Sequence, residues 1–297
     1  MALYTTQLEQ FREQIEQELP HYFAKERAEH QPVAEAMRYA CENGGKRLRP
    51  VLVMEFCRVC GGEPAAALPF ACALEMVHSY SLVHDDLPCM DNSPMRRGKP
   101  SVHAVYGETM ALLTGDALLN AAFETMLASK NRASLSAESA LAAAGVLADA
   151  AGILGMIGGQ VMDLNGEGKE LSLEELQRLQ EGKTARLIMA ACEMGCILGG
   201  ATEEQREAAL VFGREVGLCF QIVDDILDVI ADPETLGKPT GGDDRLQKVT
   251  YVSLLGLDKA RELAAKRTQK ALQALTVFGA EGENLVKLTE ALLAREL

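Results

Sequence analysis

The chain has 297 residues, 48% of them hydrophobic and 24% charged, so it can bury a sizeable core as one or two domains. Its 29 basic and 43 acidic residues leave a formal net charge of −14 at neutral pH. That charge argues against nucleic acid or an anionic membrane surface as a partner, and an anionic substrate would need local positive charge.

The composition of the N-terminus and of the apolar stretches predicts a cytoplasmic protein. The first ten residues have neither the basic start nor the apolar core of a signal peptide. Asp149 and Asp163 bracket the best apolar run, which falls short of the roughly 18 uncharged residues of a spanning helix. Eight scattered cysteines predict reduced thiols. Cys57 and Cys60 could be interpreted as a redox pair, but their place near a helix end favours ordinary packing.

Long helices are predicted through most of the chain, in one all-α domain covering residues 1–297. Only two of the ten prolines follow position 100, and the span 101–232 contains none. Apolar residues recur at helical spacing from Ser172 to Met194, after a capping box formed by Ser172 and Glu175. The alternation of β-branched residues that is typical of strands is missing.

The first basic segment is Gly44-Gly-Lys-Arg-Leu-Arg-Pro50, just before a helix that contains Val51 to Val59. Cations at a helix N-terminus oppose the helix dipole, so their placement is poor for stability and sensible if an anion binds between them. A solvated basic loop is the alternative for Arg47.

The first acidic cluster, Asp85-Asp-Leu-Pro-Cys-Met-Asp91, ends an apolar helix. Pro88 stops or kinks that helix, so Asp91 is predicted to return from a loop toward Asp85. A chelate with ligands from helix and loop would fit, and a capped helix end with surface acids is the alternative. The basic segment Arg96-Arg-Gly-Lys99 follows within reach.

The helical pattern is interrupted at Gly182, beside Lys183 and Thr184. Glycine inside a helix costs about 1 kcal/mol relative to alanine, so its presence indicates a place where the backbone approaches a ligand.

The second acidic cluster is Asp224-Asp-Ile-Leu-Asp228. Asp224 and Asp228 share one helix face at i, i+4 spacing, and apolar flanking residues predict that the helix is buried. Closely packed buried carboxylates repel one another unless a cation lies between them. Magnesium is predicted, because it prefers oxygen ligands and binds one or two carboxylates together with phosphates and waters. A solvated acidic face is the alternative.

Together these motifs resemble those of the short-chain trans-prenyltransferases, most closely the bacterial farnesyl diphosphate synthases. The similarity runs from about Gly44 to Tyr251 and comprises GGKRLRP, HDDLPCMDN with RRGKP, GGQVMDL, GKTARL, FQIVDDILDV and LGKPTGGDDRLQKVTY. It implies an all-α bundle of long antiparallel helices around a deep central cavity, and a homodimer. The four residues between Asp86 and Asp91 match the bacterial enzymes, whereas Asn92-Ser-Pro94 and Pro239-Thr240 are mild departures.

The resemblance also implies a role for individual residues. Catalysis would rest on Lys183 and the aspartates: Asp85, Asp91 and Asp224 as direct ligands of magnesium, supported by Asp86, Asp225, Asp228 and Asp243. Isopentenyl diphosphate would be bound by Lys46, Arg49, His78 and Arg97, and the allylic diphosphate by Arg96, Lys183, Thr184, Gln221, Lys238 and Lys248. Three Mg²⁺ ions per site are implied with diphosphate bound, and Mn²⁺ as a substitute.

The predicted activity is the magnesium-dependent condensation of isopentenyl diphosphate with dimethylallyl or geranyl diphosphate to give farnesyl diphosphate. Tyr80 and Ser81 are the predicted chain-length residues, because Tyr80 lies about 7 Å deeper than Asp85 along one helix, where its ring would block a growing tail. Core packing is the alternative for Tyr80. Geranyl or geranylgeranyl diphosphate are the alternative products.

Two other classes of protein are alternatives. A terpene cyclase also uses aspartate-rich magnesium sites, but it needs one diphosphate, which would leave the group formed by Lys46, Arg49, His78 and Arg97 without a purpose. A non-catalytic subunit of a prenyltransferase could dispense with the metal ligands, yet both acidic clusters are intact.

Overall fold

Helices form almost the whole structure, a computed structural model that describes residues 3–23, 27–128, 135–230 and 249–293. The predicted all-α class is confirmed. Within these ranges, strand pairing is confined to a short antiparallel hairpin of β1 (Met95–Arg96) and β2 (Lys99–Pro100), which the sequence did not predict.

In chain order the α-helices are α1 (Thr6–Glu18), α2 (Gln31–Glu42), α3 (Leu48–Val59), α4 (Pro64–Asp85), α5 (Val102–Tyr106), α6 (Glu108–Leu127), α7 (Ala137–Ala151), α8 (Met156–Gly166), α9 (Leu173–Gln180), α10 (Arg186–Gly199), α11 (Glu203–Ile230), α12 (Tyr251–Leu255), α13 (Leu257–Ala274) and α14 (Glu283–Leu293). Short 3₁₀ segments lie at Leu19–Phe23, Ala28–His30 and Leu275–Gly282, and a π-helical turn, Glu181–Ala185, joins α9 to α10. The predicted capping box is confirmed at the start of α9, where Ser172 and Glu175 bond reciprocally.

Two pairs of glycines let the central helices pack closely. Gly195 and Gly199 share one face of α10, and a Cβ on either would lie 2.5 Å from a carbonyl oxygen of α3. Gly213 and Gly217 of α11 are packed in the same way against the chain at Met189 and Ala185. Helix α4 contacts α3 and α6, α3 contacts α10, and α10 contacts α11, so α4, α3, α10 and α11 are successive neighbours.

Within the part of the chain that the structure describes, two helical segments are long and apolar enough to span a membrane by length and composition, Pro64–Asp85 and Ala137–Gly166. The second segment is not expected from its uncharged residues alone, because Asp149 and Asp163 leave a short uncharged run between them. The apolar windows of these segments are 67% and 44% buried inside the structure. Core helices of globular proteins pass the same test, and the burial of α4 between α3 and α6 is that of a core helix.

All eight cysteines are free, as predicted. Cys57 and Cys60 do not form a redox pair, because the sulfur of Cys57 contacts the carbonyl of Glu63 whereas that of Cys60 lies 3.8 Å from the sulfur of Cys196. Burial raises the pKa of Cys57 to about 12, so its thiolate is scarce at neutral pH.

Candidate active site

A cavity of about 880 Å³ opens between α3, α4, α8, the π-helical turn and α11. That volume lies in the range of small-molecule sites, which is about 300–1,000 Å³. Twelve of the residues predicted from the sequence line it: Lys46, Arg49, His78, Tyr80, Ser81, Asp85, Arg96, Arg97, Lys183, Thr184, Gln221 and Asp224. Residues that are far apart in the chain therefore face one space, with charged groups and an apolar wall together.

The first acidic cluster has the shape predicted from Pro88. Helix α4 ends at Asp85, and the chain then turns back so that the backbone N–H of Asp91 donates to the backbone carbonyl of Asp85 at 2.9 Å. The side chain of Asp85 accepts a hydrogen bond of 2.5 Å from Gln160 of α8 and lies 3.8 Å from the ammonium of Lys183. Asp85 thus sits at a junction of three elements.

Asp86 differs from Asp85 in its surroundings, although the two are adjacent. It is 3% exposed and accepts hydrogen bonds from the guanidinium of Arg96, the shortest of them 2.5 Å. Burial raises the pKa of Asp86 more than the Arg96 guanidinium lowers it. Arg96 lines the cavity, whereas Asp86, which binds its guanidinium, does not.

The interruption at Gly182 is a π-helical turn packed on α8. A Cβ on Gly159 would lie 2.1 Å from the backbone nitrogen of Lys183, so the missing side chain is what allows the contact. The close approach that the structure shows at Gly182 is therefore to the backbone of α8, while the neighbouring Lys183 and Thr184 line the cavity. It brings the ammonium of Lys183 within 2.6 Å of Asp163 and lets Thr184 donate to Gln221 of α11 at 2.7 Å.

Gln160 and Asp163 are two polar residues at this site that were not predicted as site residues. They lie in the GGQVMDL segment at i, i+3 spacing, which places both on one face of α8. The sequence signal that could have indicated them is a pair of glycines, Gly158 and Gly159, followed by two polar residues on an otherwise apolar helix.

The second acidic cluster divides between the cavity and the interior. Asp224 lines the cavity from α11, as does Gln221 on the same face. Asp225 is 7% exposed and accepts a 2.7 Å hydrogen bond from the backbone N–H of Tyr251, so it caps the start of α12 outside the cavity. Asp228 is half-buried, one turn beyond Asp224. Lys238, Asp243 and Lys248 lie outside the described residues.

Arg49, from the first basic segment, and Arg97 both lie close to the ring of His78. The Nε2 atom of His78 lies 3.5 Å from Arg49 and 3.4 Å from Arg97, and the ammonium of Lys46 lies 5.3 Å from the ring centroid of Phe220. Burial and the neighbouring guanidiniums hold the pKa of His78 well below its usual range, and burial lowers that of Arg49 to about 10. His78 is therefore neutral at pH 7, and the cluster has positive charge suited to an anion.

Arg49 supplies a further sign that an anion belongs here. Its Nε is buried and has no hydrogen-bond partner among the described residues. An unsatisfied buried donor is costly, and a bound anion would satisfy it.

Arg47 is buried, so the solvated basic loop that was the alternative for this residue is wrong. It is 5% exposed, its backbone is left-handed at φ 51°, and its guanidinium donates to Glu75 of α4 at 2.6 Å. The sequence could not show this, because Glu75 lies 28 residues away.

The apolar wall lies below Asp85. Tyr80 is 6% exposed, lines the cavity, and packs edge-on against His84 with ring centroids 5.6 Å apart. Ser81 lies beside it and donates its hydroxyl to the carbonyl of His78 at 2.8 Å. Apolar residues of α8 and α10 complete this wall: Met156, Ile157, Val161, Leu164, Leu187 and Ile188.

The predicted magnesium site is compatible with these positions. No group of three histidine, cysteine, aspartate or glutamate side chains converges among the described residues in a way that would hold a metal by itself. Magnesium rarely needs such a cage, because it binds one or two carboxylates and takes its other ligands from phosphates and waters. Asp85 and Asp224 present hard oxygen donors to one cavity, beside cations that suit a diphosphate, so the donor set fits.

Comparison of the sequence with known proteins identifies one family. The sequence profile of the polyprenyl synthetase family matches residues 30–287. The chain is 45% identical over 252 residues to a heterodimeric geranylgeranyl pyrophosphate synthase large subunit of Arabidopsis thaliana, covering 84% of this chain and 68% of that protein. It is 46% identical over 250 residues to a geranylgeranyl pyrophosphate synthase of Catharanthus roseus, covering 84% and 70%.

Solved structures show the same fold over nearly the whole chain. An FPP/GFPP synthase from Zymomonas mobilis superposes with a TM-score of 0.86 at 36% identity, covering 97% of this chain and 98% of that one. A geranyltransferase from Helicobacter pylori, complexed with magnesium and isoprenyl diphosphate, gives a TM-score of 0.84 at 35% identity, covering 99% of both chains.

Proposed function

The chain belongs to the polyprenyl synthetase family, and from that premise we propose that this prenyltransferase condenses isopentenyl diphosphate with dimethylallyl and then geranyl diphosphate to give farnesyl diphosphate. The observation that carries the proposal is that one cavity is lined by Arg49 and Arg97 around His78 and, among the described residues, also by Lys183, which lies beside Asp85 and Asp163. Apolar residues line the same cavity. Two groups suit two diphosphates, which a condensation needs and a terpene cyclase does not.

The allylic diphosphate would lie between Asp85 and Asp224, near Lys183, Thr184 and Gln221. Bound Mg²⁺ would stabilise the negative charge that develops as the C–O bond of this substrate ionises. Lys183 places a positive charge at the same point, and the hydrogen bond from Thr184 to Gln221 fixes the neighbouring polar groups. The resulting arrangement stabilises the leaving group more than the intact substrate.

The allylic cation would remain against the apolar wall, which keeps water away from it. Lys46, Arg49 and Arg97 would hold isopentenyl diphosphate so that its double bond attacks the cation. His78 is a poor candidate for the base that removes the final proton, because Arg49 and Arg97 surround its Nε2 atom. The departing diphosphate is the better acceptor for that proton.

Product length is the finer part of the proposal. Tyr80 supports farnesyl diphosphate, since its ring stands in the apolar wall below Asp85. The names of the plant relatives favour the alternative, geranylgeranyl diphosphate, and the Zymomonas mobilis neighbour is named for two product lengths. Sequence identity over the whole chain reflects the shared fold, whereas the length of the product would depend on the few residues of the apolar wall. We therefore base the proposed product on Tyr80 and not on the names of the relatives.

The test is product analysis with purified protein, magnesium and geranyl diphosphate, with and without isopentenyl diphosphate. A C15 product that requires isopentenyl diphosphate is expected, and cyclised products in its absence would support the terpene cyclase instead. Asp85→Ala should lower turnover by orders of magnitude, whereas Asp258→Ala, an exposed acid on α13, should leave it unchanged. Equal rates in the two variants would contradict the proposal.

We also propose that the protein is a homodimer. Large apolar side chains are exposed on two helices that contact one another: Leu112 and Leu113 of α6 are 48% and 49% exposed, and Leu141 of α7 is 66% exposed. A second copy would cover these side chains. Light scattering should give a dimeric mass for the parent and a monomeric mass for Leu113→Glu, while Leu254→Glu on α12 should stay dimeric. A monomeric parent would refute this proposal.

A further inference from the structure

The loop before α3 has an unusual backbone. Gly44, Gly45 and Arg47 all have positive φ values, of 80°, 123° and 51°. The first two are glycines, for which this conformation is easy, but Arg47 has a side chain that disfavours it. Something must therefore hold Arg47 in place.

The buried ion pair with Glu75 is the contact that holds it. The guanidinium Nη1 of Arg47 donates to Glu75 at 2.6 Å, Nη2 donates to the backbone carbonyl of Cys41, and both charged side chains are 3% exposed. Glu75 lies three residues before His78 on α4, so the pair fastens the loop at the level of the basic cluster.

Arg47 and its basic neighbours point to different elements. Arg47 turns toward α4, while Lys46 and Arg49 on either side reach the ring of Phe220 and of His78. The N-terminal end of the loop contacts Arg97, whose guanidinium donates to the carbonyl of Gly44 at 2.5 Å. A Cβ on Gly45 would lie 2.6 Å from that guanidinium, so the glycine makes room for it. Moving the loop would therefore move Lys46 and the start of α3, which carries Arg49, and it would break the contact between Gly44 and Arg97.

We propose that Glu75 is a positioning residue for the homoallylic diphosphate. Through Arg47 it keeps Lys46, Arg49 and Arg97 directed at one point, without touching the substrate itself. This rests on the proposed function, which assigns isopentenyl diphosphate to that point.

A positioning role and a simple electrostatic role for Glu75 predict opposite changes in diphosphate affinity when its charge is removed. Glu75 is an anion near a cluster of cations, so removing its charge would by Coulomb's law alone strengthen the binding of a diphosphate. If Glu75 instead positions the loop, Glu75→Gln weakens that binding, because a neutral amide holds the buried guanidinium less firmly. We expect the Kd for isopentenyl diphosphate to rise by roughly tenfold.

The experiment is a calorimetric titration with isopentenyl diphosphate in the absence of divalent metal, followed by steady-state kinetics with geranyl diphosphate. Glu75→Gln should raise the Kd and the KM for isopentenyl diphosphate and leave the KM for geranyl diphosphate within about twofold. Glu55→Gln is the matched control, because Glu55 is also a fully buried glutamate paired with an arginine, Arg58 of α3. It should lower the melting temperature without changing either constant selectively.

Each outcome decides the question. Unchanged or tighter binding of isopentenyl diphosphate in Glu75→Gln, or equal losses for both substrates, would overturn the positioning role. If that variant does not fold, Arg47→Lys gives the same test, because it keeps the charge and loses the two-pronged contact with Glu75 and Cys41. Failure of the parent protein to bind isopentenyl diphosphate would instead refute the proposed function.

Discussion

Replacing Tyr80 with alanine should lengthen the product. The ring of Tyr80 stands five residues before Asp85 on α4, about 7.5 Å along the helix axis at 1.5 Å per residue, and it is 6% exposed on the cavity wall. Each further isoprenoid unit adds five carbons. At about 0.8 kcal/mol per buried CH₂, burying one more unit is worth roughly 4 kcal/mol, so extension is favourable wherever there is room. A steric block is therefore what would stop the product at C15.

The cost to stability should leave the variant folded. Aromatic-to-alanine changes in packed cores cost about 3–5 kcal/mol, and Tyr80 should fall at or below that range because its ring already borders a cavity. Products would be dephosphorylated, separated by chromatography and identified by mass. We expect mainly C15 from the parent, and C20 or longer from Tyr80→Ala.

Tyr80→Phe is the matched control, since it keeps the ring and removes the hydroxyl, and it should retain the C15 product. An active Tyr80→Ala enzyme with an unchanged product distribution would refute the argument and assign Tyr80 to packing. A parent that already makes C20 would favour the geranylgeranyl alternative and place the cavity floor elsewhere.

The remaining predictions concern the metal, the two subsites and pH. Activity should require Mg²⁺ or Mn²⁺, and Asp224→Ala should lose it by orders of magnitude with an unchanged circular dichroism spectrum; near-normal rates in chelator would exclude a metal role. Arg49→Ala should weaken isopentenyl diphosphate more than geranyl diphosphate and Lys183→Ala the reverse, and equal losses in titrations would argue against separate subsites. Because burial and nearby guanidiniums lower the pKa of His78 in the folded state, the unfolded chain binds the proton more readily, and stability should fall as the pH drops below about 6.5, by up to about 1.4 kcal/mol per unit. Thermal melts of His78→Asn should show a shallower dependence on pH than those of the parent.

Some features were predictable because they depend on neighbours in the chain. Pro88 ends α4 near Asp85 and returns the chain to it, since proline cannot continue a helix. The i, i+4 spacing around Asp224 and the capping box at Ser172 follow from helical geometry alone. The division of the charges into two acidic clusters and several basic segments was likewise visible in the sequence, and it predicted an anionic ligand bound with a divalent cation.

The tertiary structure decided which members of each cluster face the cavity. Asp85 and Asp86 are adjacent, yet one lines the cavity and the other is buried against Arg96, because successive helical residues point about 100° apart. Asp224 and Asp225 divide in the same way, the second accepting a hydrogen bond from Tyr251, which is 26 residues away.

Partners from distant segments could not be predicted either. Gln160 reaches Asp85 across 75 residues, and Glu75 holds Arg47 across 28. A sequence fixes the spacing of residues along one helix through the peptide geometry, but contacts between helices depend on how those helices pack. The chain alone therefore determined the helices and their acidic and basic faces, whereas packing alone determined which carboxylates line the cavity and which are buried against arginines.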